Sequence, residues 1–204
     1  MLIVVVLEAV RLAVVRWLYP LAPLWLLIAL LLGFALLSVR FLAGLRLSQI
    51  GLRPWREWSV IEKSYFLQLL VIANVVFPMA FAGRLRTILA QPSIMSTVWS
   101  VLVPYLFFGF YQEVVYRGIL QSELVRRWGP LLGIVVSDLL YTFGPLHSYY
   151  LSSRASLAIP MFASIFAIGL FFGVLFRRSG NLWIVAVIHA IGNSYIVGSI
   201  GPVR

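Results

Sequence analysis

Apolar stretches of membrane-spanning length, separated by short arginine-bearing segments, leave this chain few folds to choose from. Residues 21–39, 65–83, 131–150, 157–176 and 182–200 each approach the roughly 20 residues that a helix needs to cross a bilayer. A longer helical pattern runs over residues 93–128, broken only mildly by Pro104, and Gly129-Pro130 ends it. At 1.5 Å per residue that pattern is roughly 54 Å long, so it must tilt, kink or protrude. Inside hydrocarbon the backbone must satisfy its own hydrogen bonds, and a helix does so within one segment. The expectation is an all-α polytopic transmembrane helix bundle with six spans. Residues 2–18 are apolar but carry Glu8, Arg11 and Arg16; they form either a helix lying in the interface or a short seventh span.

The charges sit where a membrane topology wants them. Of 204 residues 62% are hydrophobic, against about 45–50% in soluble domains, which excludes an ordinary soluble fold. Sixteen basic and six acidic side chains give a net charge of +10. Most of the arginines lie in short loops, so the excess reads as membrane topology and not as nucleic-acid binding. Residues 40–63 mix Arg46, Arg53, Arg56, Glu57 and Glu62 with Trp55 and Trp58, a composition suited to the headgroup layer. This segment, 126–128 and 177–180 fall on one side of the alternation and are expected to be cytoplasmic. The absence of cysteine excludes disulfides, thiol catalysis and thiolate metal sites. No basic flank precedes the first apolar run, so it is not expected to be a cleaved signal. One membrane domain is expected, with helices and an interfacial loop over 1–92 and a functional core over 93–204.

Against this apolar background the polar residues inside spans stand out. Glu113 and Arg117 follow the apolar run 101–111 and, four residues apart, share one helical face. An unpaired Asp, Lys or Arg at the centre of a span costs about 2.5–3.5 kcal/mol on insertion scales, so ionisable residues there mark functional sites by default. The alternative is a structural ion pair. Both histidines of the chain also fall within expected spans, His147 after Phe143-Gly144-Pro145-Leu146, and His189 one turn before Asn193. A lone membrane histidine is more often an interhelical hydrogen-bond partner. Here a Glu-Arg pair, a histidine and a His-Asn pair come from three different helices. A carboxylate and an imidazole can hold and deprotonate water. A second imidazole and an amide can donate to a developing oxyanion.

Taken together, Gln112-Glu113-x-x-x-Arg117, Phe143-x-x-x-His147 and His189-x-x-x-Asn193 resemble, in order, the three motifs of the CPBP family of intramembrane proteases, also called the Abi or type II CAAX prenyl endopeptidase family. The resemblance covers residues 93 to about 200. It implies an intramembrane endopeptidase in which a carboxylate and His147 activate water while His189 and Asn193 form the oxyanion hole. Arg117, Gln112 and Phe143 are then supporting residues. The chain departs from the pattern at Gln112, where the family has its first Glu, and an amide is no base near neutral pH. Either Glu113 takes over with His147, or the enzyme is impaired, or the chain is a silent scaffold that binds and regulates a membrane partner. A small transporter is the third reading.

The resemblance implies a lipid bilayer and a peptide or lipidated protein substrate as partners, no nucleic acid, and a prokaryotic plasma membrane as the location. No cofactor is favoured; zinc held by Glu113, His147 and His189 is the alternative. Counted along straight helices from the cytoplasmic end, Glu113 lies about 21 Å deep, His147 about 24–27 Å and His189 about 12 Å. Convergence therefore needs tilt, protrusion of the long helix, or a break at Gly144-Pro145. Asp138, the other acid of these spans, is expected out of reach of a water held at His147.

Overall fold

The computed structural model of the protein describes residues 2–19, 21–145, 147 and 158–199, and every regular element among them is helical. Helix α1 (Leu2–Ala13) continues through a wider π-helical turn, Val14–Leu18, and α2 (Leu24–Leu37) through another, Ser38–Leu42. Short turns lead to α3 (Val60–Ala80), which starts at a capping box. Ser59 Oγ accepts from the Glu62 amide at 3.1 Å, and the Glu62 carboxylate accepts from the Ser59 amide at 2.9 Å. This box starts the helix five residues before the apolar run does. A short helix, α4 (Ala82–Leu89), follows.

Next comes one helical stretch of 50 residues, Ile94–Phe143, folded back on itself. Its first limb, α5, runs through Ile94–Thr97, Val98–Leu102, Val103–Glu113 and the π-helical Val114–Gln121. The second, α6 (Ser122–Phe143), contains the reversal at Gly129, whose φ of 81° is open to glycine and strained for other residues. Ser137 Oγ donates to the Tyr116 carbonyl at 3.0 Å, so the limbs run antiparallel and in contact. The long pattern over 93–128 thus ends where Gly129-Pro130 predicted. Helices α7 (Ala158–Ser179) and α8 (Leu182–Ser199) complete the bundle.

Four helical stretches are long and apolar enough to cross a membrane: Leu24–Leu42, Val60–Ala80, Ile94–Phe143 and Ala158–Ser179; Leu182–Ile196 is a shorter apolar helix. With the long stretch folded in two, these match the six expected spans, and the protein is an all-α integral membrane bundle. The span expected over 131–150 is shorter: its helix stops at Phe143, because Gly144 turns to an extended conformation before Pro145. The polar turn expected at 152–156 lies outside the described residues.

The arginine-rich loops 40–63, 126–128 and 177–180 gather at one end. The Leu182 amide donates to the Gly51 carbonyl at 2.9 Å, and Arg53 bonds both Glu62 and the Ser179 carbonyl. Gly51, Gln121, Arg126 and Arg177 line one cavity of about 340 Å³ there. A single apolar core joins Leu7 of α1, Leu31 and Ala35 of α2, Val114 and Leu120 of α5, Tyr141 of α6, Phe172 of α7 and Val185 of α8. α1 is tied in by Tyr111, whose hydroxyl donates to the Leu7 carbonyl at 3.1 Å, and it carries a buried pair of its own, Arg11 on Glu8 at 2.8 Å.

Candidate active site

Helix α5 delivers the first polar group. Gln112, Glu113 and Arg117 are all buried, and Glu113 is wholly inaccessible. They reach the next helix because α5 and α8 approach closely at Gly109: a Cβ there would lie 2.8 Å from the Ala190 backbone nitrogen. Across this contact His189 and Asn193, one turn apart on α8, face Glu113 and Gln112.

The contacts are specific. His189 Nδ1 lies 2.6 Å from Glu113 Oε1. A carboxylate only accepts, so Nδ1 carries the proton and Nε2 is the acceptor; Tyr141 O–H donates to it at 3.3 Å. Phe172 stacks on the same imidazole at 5.2 Å between centroids. Asn193 Nδ2 donates to Gln112 Oε1 at 3.0 Å, so these two residues, expected from the sequence on different helices, are bonded to each other.

Arg117 ties these groups to α6 and α7. Its guanidinium stands 3.5 Å from Glu113 Oε2 and 3.5 Å from Asp138 Oδ1, donates to the Gly169 carbonyl at 3.0 Å, and lies 4.2 Å from the centroid of the Tyr141 ring. One cation between two buried carboxylates offsets much of what either would cost alone. Gly169 makes room for it, since a Cβ would run into Asp138 and Arg117. Glu113 Oε2, Arg117 Nη1 and both Asp138 oxygens make no hydrogen bond within the described residues.

His147 reaches the cluster through the break after Phe143. The chain turns back so that the His147 amide bonds the Gly144 carbonyl at 3.2 Å. His147 Nδ1 donates to the Tyr141 carbonyl at 2.9 Å, and the two rings meet edge to face at 4.7 Å. The straight-helix count of 24–27 Å therefore does not describe this residue, which lies in a turn and not within a span. Glu113 meets His189 and Arg117, and His147 joins them by way of Tyr141.

Four expected residues, Glu113, His147, His189 and Asn193, and two supporting ones, Gln112 and Arg117, thus surround one region. Phe143 does not: it is 55% exposed and packs on Phe162. Sequence reasoning missed Tyr141, the ring between the two histidines, and set aside Asp138, which reaches Arg117 across the hairpin. The Asp138–Tyr141 spacing of three on one helical face was the available signal for both. Both ring nitrogens of His189 are engaged by Glu113 and Tyr141, and no group of three His, Asp or Glu side chains able to hold a metal ion occurs among the described residues.

A family model described as "Type II CAAX prenyl endopeptidase Rce1-like" matches residues 94–195, the stretch that holds α5, α6, α7 and both histidines. No curated protein and no solved structure matches the chain.

Proposed function

The chain belongs to the type II CAAX prenyl endopeptidase Rce1-like family, and from that premise we propose that it is an intramembrane endopeptidase whose water-activating pair is Glu113 and His189. The observation that carries this reading is the buried 2.6 Å contact between Glu113 Oε1 and His189 Nδ1. With Nδ1–H fixed on the carboxylate, Nε2 takes a proton from water in the position where it now accepts from Tyr141. The hydroxide adds to the scissile carbonyl carbon. His189 then returns the proton to the leaving amine as the C–N bond breaks. Glu113 stabilises the intermediate imidazolium.

This division of labour differs from the one the family resemblance implies, because Glu113 bonds His189 directly. His147 holds the same water, since an imidazole with its proton on Nδ1 accepts at Nε2. Asn193, with a second N–H beyond the one on Gln112, and the Tyr141 hydroxyl supply donors to the oxyanion. The substrate class is a membrane-associated peptide or a lipidated protein tail of CAAX type, met in a prokaryotic plasma membrane.

The test is cleavage of farnesylated and unmodified CAAX peptides by purified protein in liposomes, read by mass spectrometry with and without EDTA. Wild type should cleave and Glu113→Gln should lose about 100-fold or more in kcat. Gln112→Glu should leave the rate unchanged or raise it. A second reading rests on Gln112, which holds Asn193 and, by the motif resemblance, stands where the family has its first acid. If wild type is inert and Gln112→Glu switches cleavage on, the natural protein is a scaffold on a protease frame. If Glu113→Gln cleaves normally, Glu113 is only the structural partner of Arg117.

A further inference from the structure

The cavity of about 340 Å³ at the arginine-rich end has no part in the chemistry proposed above. Segments 48–51, 121–126 and 176–180, far apart in sequence, line it. They are tied to one another. The Leu182 amide bonds the Gly51 carbonyl at 2.9 Å, and the Gln121 amide nitrogen donates to the Gly173 carbonyl of α7 at 2.8 Å. A Cβ at Gly51, whose φ is 87°, would lie 2.7 Å from the Phe176 ring and 2.9 Å from the Leu182 nitrogen. The cavity is therefore built into the packing and is not a gap between loose loops.

Its lining combines cations with an acceptor, and none of its residues is acidic. Arg177 makes no ion pair among the described residues. Arg126 gives Nε and Nη2 to Glu123 at 3.0 and 2.8 Å, and Arg127 shares that carboxylate. One acid thus answers two arginines, and Arg126 Nη1 stays uncommitted. Guanidinium forks of this kind match the oxygens of a phosphate. Gln121 supplies the acceptor. Its side chain is 2% exposed, and its Oε1 accepts no hydrogen bond from the described residues. A buried acceptor is costly to leave unmet, so the complementary ligand brings a donor as well as an anion.

Depth narrows the choice further. Gln121 stands eight residues before the reversal at Gly129, about 12 Å along the helix. The cavity therefore runs from loop level towards the edge of hydrocarbon, where lipid headgroups lie. Trp128, exposed beside the reversal, is the aromatic residue that suits that layer.

We propose that this cavity binds the headgroup of a phospholipid whose phosphodiester carries a hydrogen-bond donor at its tip, as phosphatidylglycerol and phosphatidylethanolamine do. The phosphate sits on Arg177 and Arg126, and the tip hydroxyl or ammonium donates to Gln121 Oε1. A lipid is chosen over a free anion because a bilayer holds its phosphates at this depth and at high local concentration. The site is independent of whether the protein cleaves peptides.

Native mass spectrometry of the purified protein tests this, with phosphatidylglycerol, phosphatidylethanolamine and phosphatidylcholine of identical chains added in turn. The first two should bind about tenfold more tightly than phosphatidylcholine, whose tip has no donor. Arg177→Gln should weaken their binding about tenfold. Arg178→Gln removes the same charge from an exposed neighbour that does not line the cavity, and it should have little effect. Gln121→Leu should erase the preference over phosphatidylcholine; thermal unfolding checks each variant, and the comparison of lipids on wild type does not depend on any of them. Equal losses at 177 and 178, no loss at 177, or phosphatidylcholine bound as tightly as the other two would overturn the proposal. Displacement of the lipid by inorganic phosphate, but not by chloride at equal ionic strength, would make this a free-anion site and overturn it too.

Discussion

Helices α3 and α5 both carry polar side chains through the bilayer, and they satisfy them in opposite ways. α5 turns Gln112, Glu113 and Arg117 inward, where four helices contribute partners and none of the three is accessible beyond 2%. α3 turns Gln68 and Asn74 outward and satisfies them only on its own turns, Asn74 on the Leu70 carbonyl at 2.9 Å. Hydrocarbon supplies no hydrogen bonds to either helix, so the chemistry tolerated depends on what else the protein brings to that depth. The full charges that α5 carries are surrounded by a network. Neutral amides, which a neighbouring turn can partly satisfy, are what remains on the lipid side.

Substitutions at the inward network should therefore cost most, and those on the outer face least. Arg117→Met should cost about 3–5 kcal/mol, because it leaves Glu113 and Asp138 buried without their shared cation. Thermal unfolding in detergent reads this, and an unchanged midpoint would remove Arg117 as the hub. Gly169→Ala should cost about 1–3 kcal/mol by forcing Asp138 and Arg117 apart; the same melt, set beside a control substitution at exposed Val174, isolates the effect. Tyr141→Phe keeps the ring that packs between the histidines and deletes one hydrogen bond, worth about 1 kcal/mol. If the proposed chemistry holds, its kcat should fall about tenfold with little change in KM. On α3, Ile72→Leu should stay within about 0.5 kcal/mol of wild type, being 54% exposed. A loss as large as that of Gly169→Ala would show that α3 is held by more than its inner face.

How much of this was legible in the sequence differs between spans and site. The helices were readable because a bilayer permits little else, and the reversal was readable because Gly129-Pro130 is a strong local signal. The early end of α6 was visible only as the option of a break at Gly144-Pro145. The site was read as a set of residues and not as a set of pairs. Glu113 was matched with His147 by motif order, whereas the close approach at Gly109 puts it on His189. Asp138 was judged by its distance along one helix from His147; its partner is Arg117, across a hairpin whose register no linear count provides. Tyr141 is one of nine tyrosines in an aromatic-rich chain, and only the fold distinguishes it. Phe143 illustrates the opposite error, a motif residue two positions away that points outward.

The reversal at Gly129 also bears on when charge can be neutralised while the chain is being made. Arg117 and Asp138 stand on the two limbs of one hairpin, joined by a tight turn with a short loop to close. A nascent chain can bring them together before α7 and α8 exist. In that hairpin Arg117 already has both of its acids, Glu113 on its own limb and Asp138 on the other. His189 emerges last and docks on a carboxylate that is anchored from the other side. The imidazole completes the network, while the hairpin lets its charged core enter the membrane.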